Sequence, residues 1–247
     1  MTPVALVTGA ARGIGRACAR RLGIDGYVVV AADIDGDTLD ASVSELQAEG
    51  VSIEGRWLDV ADTAAGRRLV EQVVATHGRI DALVNNAGFT ERVLVQDLTP
   101  QAWERMLAVH VRGPVFLTQA VARDMVRRGE PGAVVNLSSI RAESAEPGQT
   151  HYCAAKGALR TLTRAIAQEL APQRIRVNCV GAGLTATDMT ADVRANAEMM
   201  AQRCAQVPLS RYARPEEIAA CAAFLLSDDA AHITGVTLYV DGGYLAV

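Results

Sequence analysis

Aromatic residues make up only 4% of this 247-residue chain, and no apolar run approaches the ~20 residues that a membrane span needs. Excess positive charge is missing as well. Lys and Arg number 24 against 28 Asp and Glu, a formal net charge of -4, so there is no global basic field and no nucleic-acid partner is expected. The five cysteines (Cys18, Cys153, Cys179, Cys204, Cys221) are scattered, odd in number and never spaced C-x-x-C, which argues against a disulfide framework. The four histidines (His77, His110, His151, His232) show no ligand spacing, and no metal site is expected. Linkers of low complexity and internal repeats are absent, so a single domain over residues 1–247 is the economical reading. The opening residues 1–7 enter a strand pattern at once without the basic flank of a signal peptide, and a reducing cytoplasm is the expected setting.

Half the residues are hydrophobic, with Ala, Val and Gly abundant, a composition suited to close packing of helices on a sheet. Short β-branched runs fall at Val4–Thr8, Tyr27–Ala32, Val51–Leu58, Ile80–Asn85, Ala133–Ser138, Arg176–Val180 and Val236–Val240. Helix-like stretches separate them: Gly13–Leu22, Thr38–Glu49, Ala64–His77, Pro100–Arg128, Tyr152–Ala171 and Pro215–Leu226. Continuously apolar strands alternating with helices predict a doubly wound parallel α/β sheet with helices on both faces. Residues 184–208 break the rhythm. They form a substrate lid, conceal short helices, or make a plain surface loop.

Tyr152 and Lys156 stand four residues apart in a helical stretch, so a phenol and an ammonium share one face. Free, they titrate near ~10 and ~10.4, and a nearby cation brings the phenol closer to the range of proton exchange with an alcohol. The first strand ends in a glycine turn, Thr8-Gly-Ala-Ala-Arg-Gly13-Ile14-Gly15, followed at once by a helix. Gly9, Gly13 and Gly15 allow a tight turn, close backbone approach to a pyrophosphate and close helix–strand packing. Asp33 ends the second strand, where a carboxylate holds the adenosine ribose 2′-hydroxyl and repels a 2′-phosphate. Arg12 is the one basic residue within reach of such a phosphate, and NAD is expected ahead of NADP.

With these features stand Asp59-Val60, Asn85-Asn86-Ala87-Gly88, Asn136-Leu-Ser-Ser139, Arg176-Val-Asn178, Thr187-Asp-Met189, Ile233-Thr-Gly235 and Val240-Asp-Gly-Gly243. In this order and over essentially its whole length, the chain resembles the short-chain dehydrogenase/reductase family. The resemblance implies a Rossmann-type doubly wound parallel sheet of about seven strands, NAD as coenzyme and a homotetramer built through the Tyr152–Ala171 and Pro215–Leu226 helices. By position it implies Ser139, Tyr152 and Lys156 as catalytic residues, with Tyr152 as acid/base and Lys156 lowering its pKa while holding the nicotinamide ribose. Coenzyme contacts are implied at Gly9, Arg12, Gly13, Ile14, Gly15, Asp33 and Ile34. Asp59 and Val60 are matched to the adenine, Asn86, Ala87 and Gly88 border the coenzyme, Gly183 and Thr185 lie beside the nicotinamide, and Thr187 contacts the nicotinamide carboxamide or the pyrophosphate.

Two departures from the family pattern stand out. His110 occupies the position of an Asn that relays protons from the lysine to solvent; the imidazole either replaces it, titrating near neutrality, or merely satisfies a local helix irregularity. Val180-Gly-Ala182-Gly183 lacks the usual Pro-Gly, which predicts a more mobile turn there. Glu91, Arg141, His151 and the glutamates of the 140–147 loop point to a sugar or polyol; Met189 and its apolar neighbours point to a cyclic or aromatic alcohol or a 3-oxoacyl group. The 3-oxoacyl reaction would more naturally use NADPH. A non-catalytic NAD-sensing or scaffold protein is the reading from another class, and it would be free to lose Ser139, Tyr152 or Lys156, all of which are present.

Overall fold

A computed structural model describes residues 2–246 of the chain. Every residue of β1 (Val4–Thr8) is buried, because both faces of the strand are covered. Ala5 and Val7 join one hydrophobic layer, and Val4 and Leu6 join the other, the period-two split of a pleated strand. In β2 (Val28–Asp33) the same split sends Val29 and Ala31 one way and Val30 and Ala32 the other. β3 (Ile53–Trp57), β4 (Ala82–Asn85), β5 (Gly132–Ser139), β6 (Ile175–Ala182) and β7 (Thr237–Val240) complete a seven-stranded parallel sheet in the order β3-β2-β1-β4-β5-β6-β7.

The first layer is closed by α1 (Gly13–Ile24), α2 (Gly36–Ala48) and α9 (Pro215–Leu226), which bury residues such as Leu22, Leu46 and Ile218. The second is closed by α3 (Thr63–His77), α5 (Gly113–Arg128) and α6 (Thr150–Leu170), through residues such as Val73, Val121 and Ala167. Asp35 and Asp62 accept first-turn N–H bonds at the starts of α2 and α3, and Gly78 ends α3 in a left-handed conformation. Among the described residues no helix is long and apolar enough to cross a membrane.

Two expectations change, and in residues 184–208 one of the open alternatives is found. The stretch Pro100–Arg128 is α4 (Pro100–Leu107), a π-helical turn (Ala108–Arg112) and α5, because one extra residue per turn is accommodated around His110. Residues 184–208 hold short helices: a 3-10 turn at Asp188–Thr190, α7 (Ala191–Ala195) and α8 (Ala197–Cys204). Gly181 and Ala182 are not a loosened turn. They pair inside β6 with Ser138 and Ser139 on one side and with Tyr239 and Val240 on the other, and a Cβ at Gly181 would lie 2.2 Å from the Tyr239 ring. In α9, Ala219, Ala222 and Ala223 are core residues beneath α1.

Candidate active site

The strand order reverses between β1 and β4, and ligands of open α/β sheets sit in the crevice outside such a point. The chain leaves β1 through Gly9 at φ 64° and enters α1 through Gly13 at φ 56°, conformations that favour glycine. A Cβ on Gly9 would lie 2.7 Å from Ala87 Cα, and one on Gly15 would lie 1.9 Å from the Gly9 carbonyl oxygen. Arg12, the N-cap of α1, is extended and makes no side-chain cap, which leaves the first-turn N–H groups for an anion. Across from them a Cβ on Gly13 would meet Thr187 Cγ2 at 3.3 Å. Such a cradle, bounded by Gly9, Gly13, Ile14, Gly15 and Thr187, fits the pyrophosphate of a nicotinamide dinucleotide.

Neighbouring strand ends fasten the turn. Asn86 donates to the carbonyls of Thr8 and Gly9 at 3.0 and 2.9 Å, and Thr8 Oγ1 accepts the N–H groups of Asn86 and Ala87 at 3.1 Å. Asp33 accepts the N–H of Ala11 on one oxygen and that of Asp35 on the other, each at 3.0 Å. It therefore holds the glycine turn as well as marking the end of β2, a role that local sequence does not show. Arg12 pairs with Asp35 rather than with Asp33. Ile34 lies exposed beyond them, and Asp59 accepts the Ala61 N–H at 2.9 Å while the Val60 carbonyl stands against Gly113. Gly183 donates to the Val240 carbonyl at 3.0 Å, and the buried Thr185 turns its hydroxyl to the Gly183 carbonyl.

Ser139 ends β5, and its Oγ accepts the Arg141 N–H at 3.2 Å. Ser138 points the other way, to the Lys156 carbonyl at 3.2 Å. Tyr152 and Lys156 lie one turn apart on α6, with Lys156 Nζ 5.6 Å from the phenol ring centroid. Burial pushes the Tyr152 hydroxyl up to about 12, against downward pulls from a Ser139 hydrogen bond and the charge of Arg141. Lys156 Nζ donates to the Leu137 carbonyl at 2.7 Å, and burial pushes its ammonium down to about 8.

His110 sits in the π-helical turn, its ring edge-on to Tyr152 with centroids 5.4 Å apart. Its Nε2 lies 2.8 Å from the Phe89 carbonyl and 3.2 Å from the Phe89 amide, and one nitrogen cannot donate and accept at once. The shorter contact puts the proton on Nε2 and leaves Nδ1 a bare acceptor, buried and without a partner. Burial, then the nearby charge of Lys156, pushes the imidazole well below its ordinary pKa. That direction favours the neutral imidazole, and of the two readings the ring's place in the π-helical turn fits a helix irregularity. A Cβ on Gly88 would lie 2.4 Å from His110 Cε1, so this ring and the residue before Phe89 are fitted together.

Of the candidate substrate residues, His151 is completely buried, and neither ring nitrogen has a hydrogen-bond partner among the described residues. Glu91 pairs with Arg105 at 2.7 Å, and Met189 is exposed on the 3-10 turn. Arg141 is buried, bonded to Ser144 and Tyr244 and paired with Glu146. The same Glu146 accepts from Arg92 at 2.6 Å and from Arg203 at 2.5 Å, joining the loop after β4, the loop after β5 and α8. Arg92 and Arg203 were not distinguishable in the sequence, because 54 or more positions separate each from Glu146 and no local pattern links them.

The family described as enoyl-(acyl carrier protein) reductase matches residues 9–245. The chain is a short-chain dehydrogenase/reductase. It is 37% identical over 240 residues to 3-oxoacyl-[acyl-carrier-protein] reductase FabG of Thermotoga maritima, covering 97% of this chain and 96% of that protein. Identity to human dehydrogenase/reductase SDR family member 4 is 40%, over 97% of this chain and 86% of that protein. A gluconate 5-dehydrogenase from Burkholderia cenocepacia, solved in complex with NADP and tartrate, superposes with a TM-score of 0.94 at 32% identity, covering 99% of this chain and 96% of that one. This oxidoreductase therefore has the doubly wound sheet expected of it.

Proposed function

We propose that this short-chain dehydrogenase/reductase interconverts a secondary alcohol and a ketone, or a sugar hemiacetal and lactone, with Ser139 and Tyr152 as the groups that handle the substrate oxygen. The observation that carries this reading is the convergence of Ser139, Tyr152 and Lys156 beside the glycine cradle at one edge of the sheet. Bound there, a nicotinamide coenzyme supplies the hydride acceptor or donor. Ser139 Oγ orients the substrate oxygen. In the direction of reduction, neutral Tyr152 gives its proton to the developing alkoxide; in oxidation, the phenolate takes the hydroxyl proton. Lys156 holds the coenzyme ribose beside the phenol, and His110 Nδ1 is an acceptor for a water that carries the proton onward.

A preference for NAD(H) rests on Asp33 at the end of β2 and on the engagement of Arg12 by Asp35. A sugar, polyol or cyclic alcohol is the substrate class we favour, supported by the polar loop after β5 and by the name of the gluconate 5-dehydrogenase relative. The FabG relatives support a second reading, reduction of a 3-oxoacyl thioester with NADPH. A homotetramer is the assembly we propose, with the exposed Phe224 of α9 and Leu238 of the edge strand β7 at one contact. Tyr152→Phe tests the chemistry: turnover falls below about a thousandth of the parent while NADH still binds. Substantial residual activity at neutral pH overturns the assignment. Parallel assays with NAD⁺ and NADP⁺ over polyols, cyclic alcohols and hydroxyacyl thioesters separate the two substrate readings.

A further inference from the structure

Three guanidiniums, those of Arg92, Arg141 and Arg203, converge on one carboxylate, that of Glu146. Three positive charges against one negative leave a local excess of two, in a chain whose net charge is -4. The Glu91–Arg105 pair, and the Glu143–Arg160 pair on the same loop as Glu146, are each internally neutral and do not offset it. Arg92 and Arg203 crowd the same oxygen of Glu146, at 2.6 and 2.5 Å, each through Nη2. Their Nε and Nη1 groups have no hydrogen-bond partner among the described residues.

The cluster is joined to the proposed substrate-oxygen site through Arg141. Arg141 follows Ser139 by two residues, its N–H is bonded to Ser139 Oγ, and its charge acts on the Tyr152 hydroxyl. Arg203 comes from α8, within residues 184–208, and Arg92 comes from the loop after β4. That loop is pinned to the Glu146 loop by the Val93 N–H on the Gly148 carbonyl at 2.9 Å and by Gln149 on Thr90 at 3.3 Å. The arginines are thus preorganised on three elements.

We infer that the substrate carries a carboxylate, which binds beside Glu146 between Arg92, Arg141 and Arg203 while its hydroxyl meets Ser139 and Tyr152. The inference rests on the alcohol–ketone reading above and narrows it to hydroxy acids. Guanidinium forks suit a planar carboxylate, and a partly desolvated cluster with surplus charge rewards an added anion more than a neutral hydroxyl. Long-range attraction from the same charges speeds encounter with an anionic substrate.

A carbon-matched pair, gluconate and glucitol, tests this on the full-length protein with NAD⁺ and NADP⁺. The acid is expected to exceed the neutral polyol in kcat/KM by about a hundredfold, with a KM that rises with salt. In Arg92→Gln/Arg203→Gln that preference collapses to within about tenfold, mainly through KM. Equal use of both compounds, or a preference unchanged in the double variant, overturns the inference and leaves the alcohol–ketone reading intact. A preference for 3-hydroxyacyl-CoA that is lost in the double variant puts a phosphate rather than a carboxylate on the arginines and also overturns it. Should no alcohol be oxidised with either coenzyme, the reaction reading fails by itself, and calorimetric titration of gluconate into the NADH-saturated protein still decides: salt-sensitive binding that the double variant loses supports the site, and its absence removes it.

Discussion

Lys156 is a buried ammonium that donates to one carbonyl, and that isolation costs stability. Its folded pKa of about 8 lies below the free value of 10.5, so between these limits the unfolded chain binds more protons and stability rises with pH. Lys156→Met is therefore expected to be inactive yet more stable than the parent at pH 7, by up to a few kcal/mol, with the gap closing as the pH rises from 8 towards 10.5; thermal melts across that range measure it. Tyr152, raised to about 12, is held neutral through the physiological range. Carbonyl reduction should then be flat from pH 6 to 8, whereas alcohol oxidation should climb with pH as phenolate becomes accessible, and initial rates in both directions check the contrast. His110 stays neutral because burial and Lys156 both oppose its charge. The pH–rate profile of His110→Asn should superimpose on that of the parent above pH 6; an extra inflection near neutrality in the parent alone would show that the imidazole titrates.

Among elements, β6 depends on a missing side chain. Gly181 sits under the Tyr239 ring, whose hydroxyl donates to Glu143 at 3.0 Å, so the contact fixes β7 against β6 and against the loop after β5. Gly181→Val should destabilise the fold by about 1–3 kcal/mol through this collision, measurable by urea unfolding. Glu146 does similar work for α8, tying it to both neighbouring loops. Burial pushes the Glu146 carboxyl up, but hydrogen bonds from Arg92 and Arg203 and the charges of Arg141 and Arg203 outweigh burial and hold it at about 2. Glu146→Gln should speed amide hydrogen exchange across residues 191–204 while leaving β1 and β4 protected. In the parent the tie is complete above the ordinary carboxylate range and is lost as pH falls from 4.5 towards 2.

At the scale of the whole molecule, the reversal of strand order after β1 brings residues 9–15, 86–88, 139–156 and 183–187 to one edge. The described exposed hydrophobics Phe224, Val236 and Leu238 lie on α9 and around the edge strand β7, away from that edge in sequence and topology. For the proposed tetramer, Leu238→Arg should shift sedimentation towards smaller species; an unchanged profile assigns the contact elsewhere.

The sequence alone determined the alternation of strands and helices, because continuous apolar runs and 3.6-residue patterns are local consequences of burial on both sheet faces. The glycine turn, Asp33 at a strand end and the four-residue spacing of Tyr152 and Lys156 are likewise visible in one dimension, whereas Ser139 was marked only by its match to the family pattern. Tertiary structure decided what depends on contact between distant segments. It turned Lys156 to the Leu137 carbonyl, buried His151 and Tyr152, pushed the His110 imidazole pKa down through burial, and used Gly181 to admit a ring 58 positions later. It also gathered Arg92, Arg141 and Arg203 around Glu146. A pKa or an ion cluster follows from burial and from the charges that the fold brings near, and neither is written in the neighbouring residues.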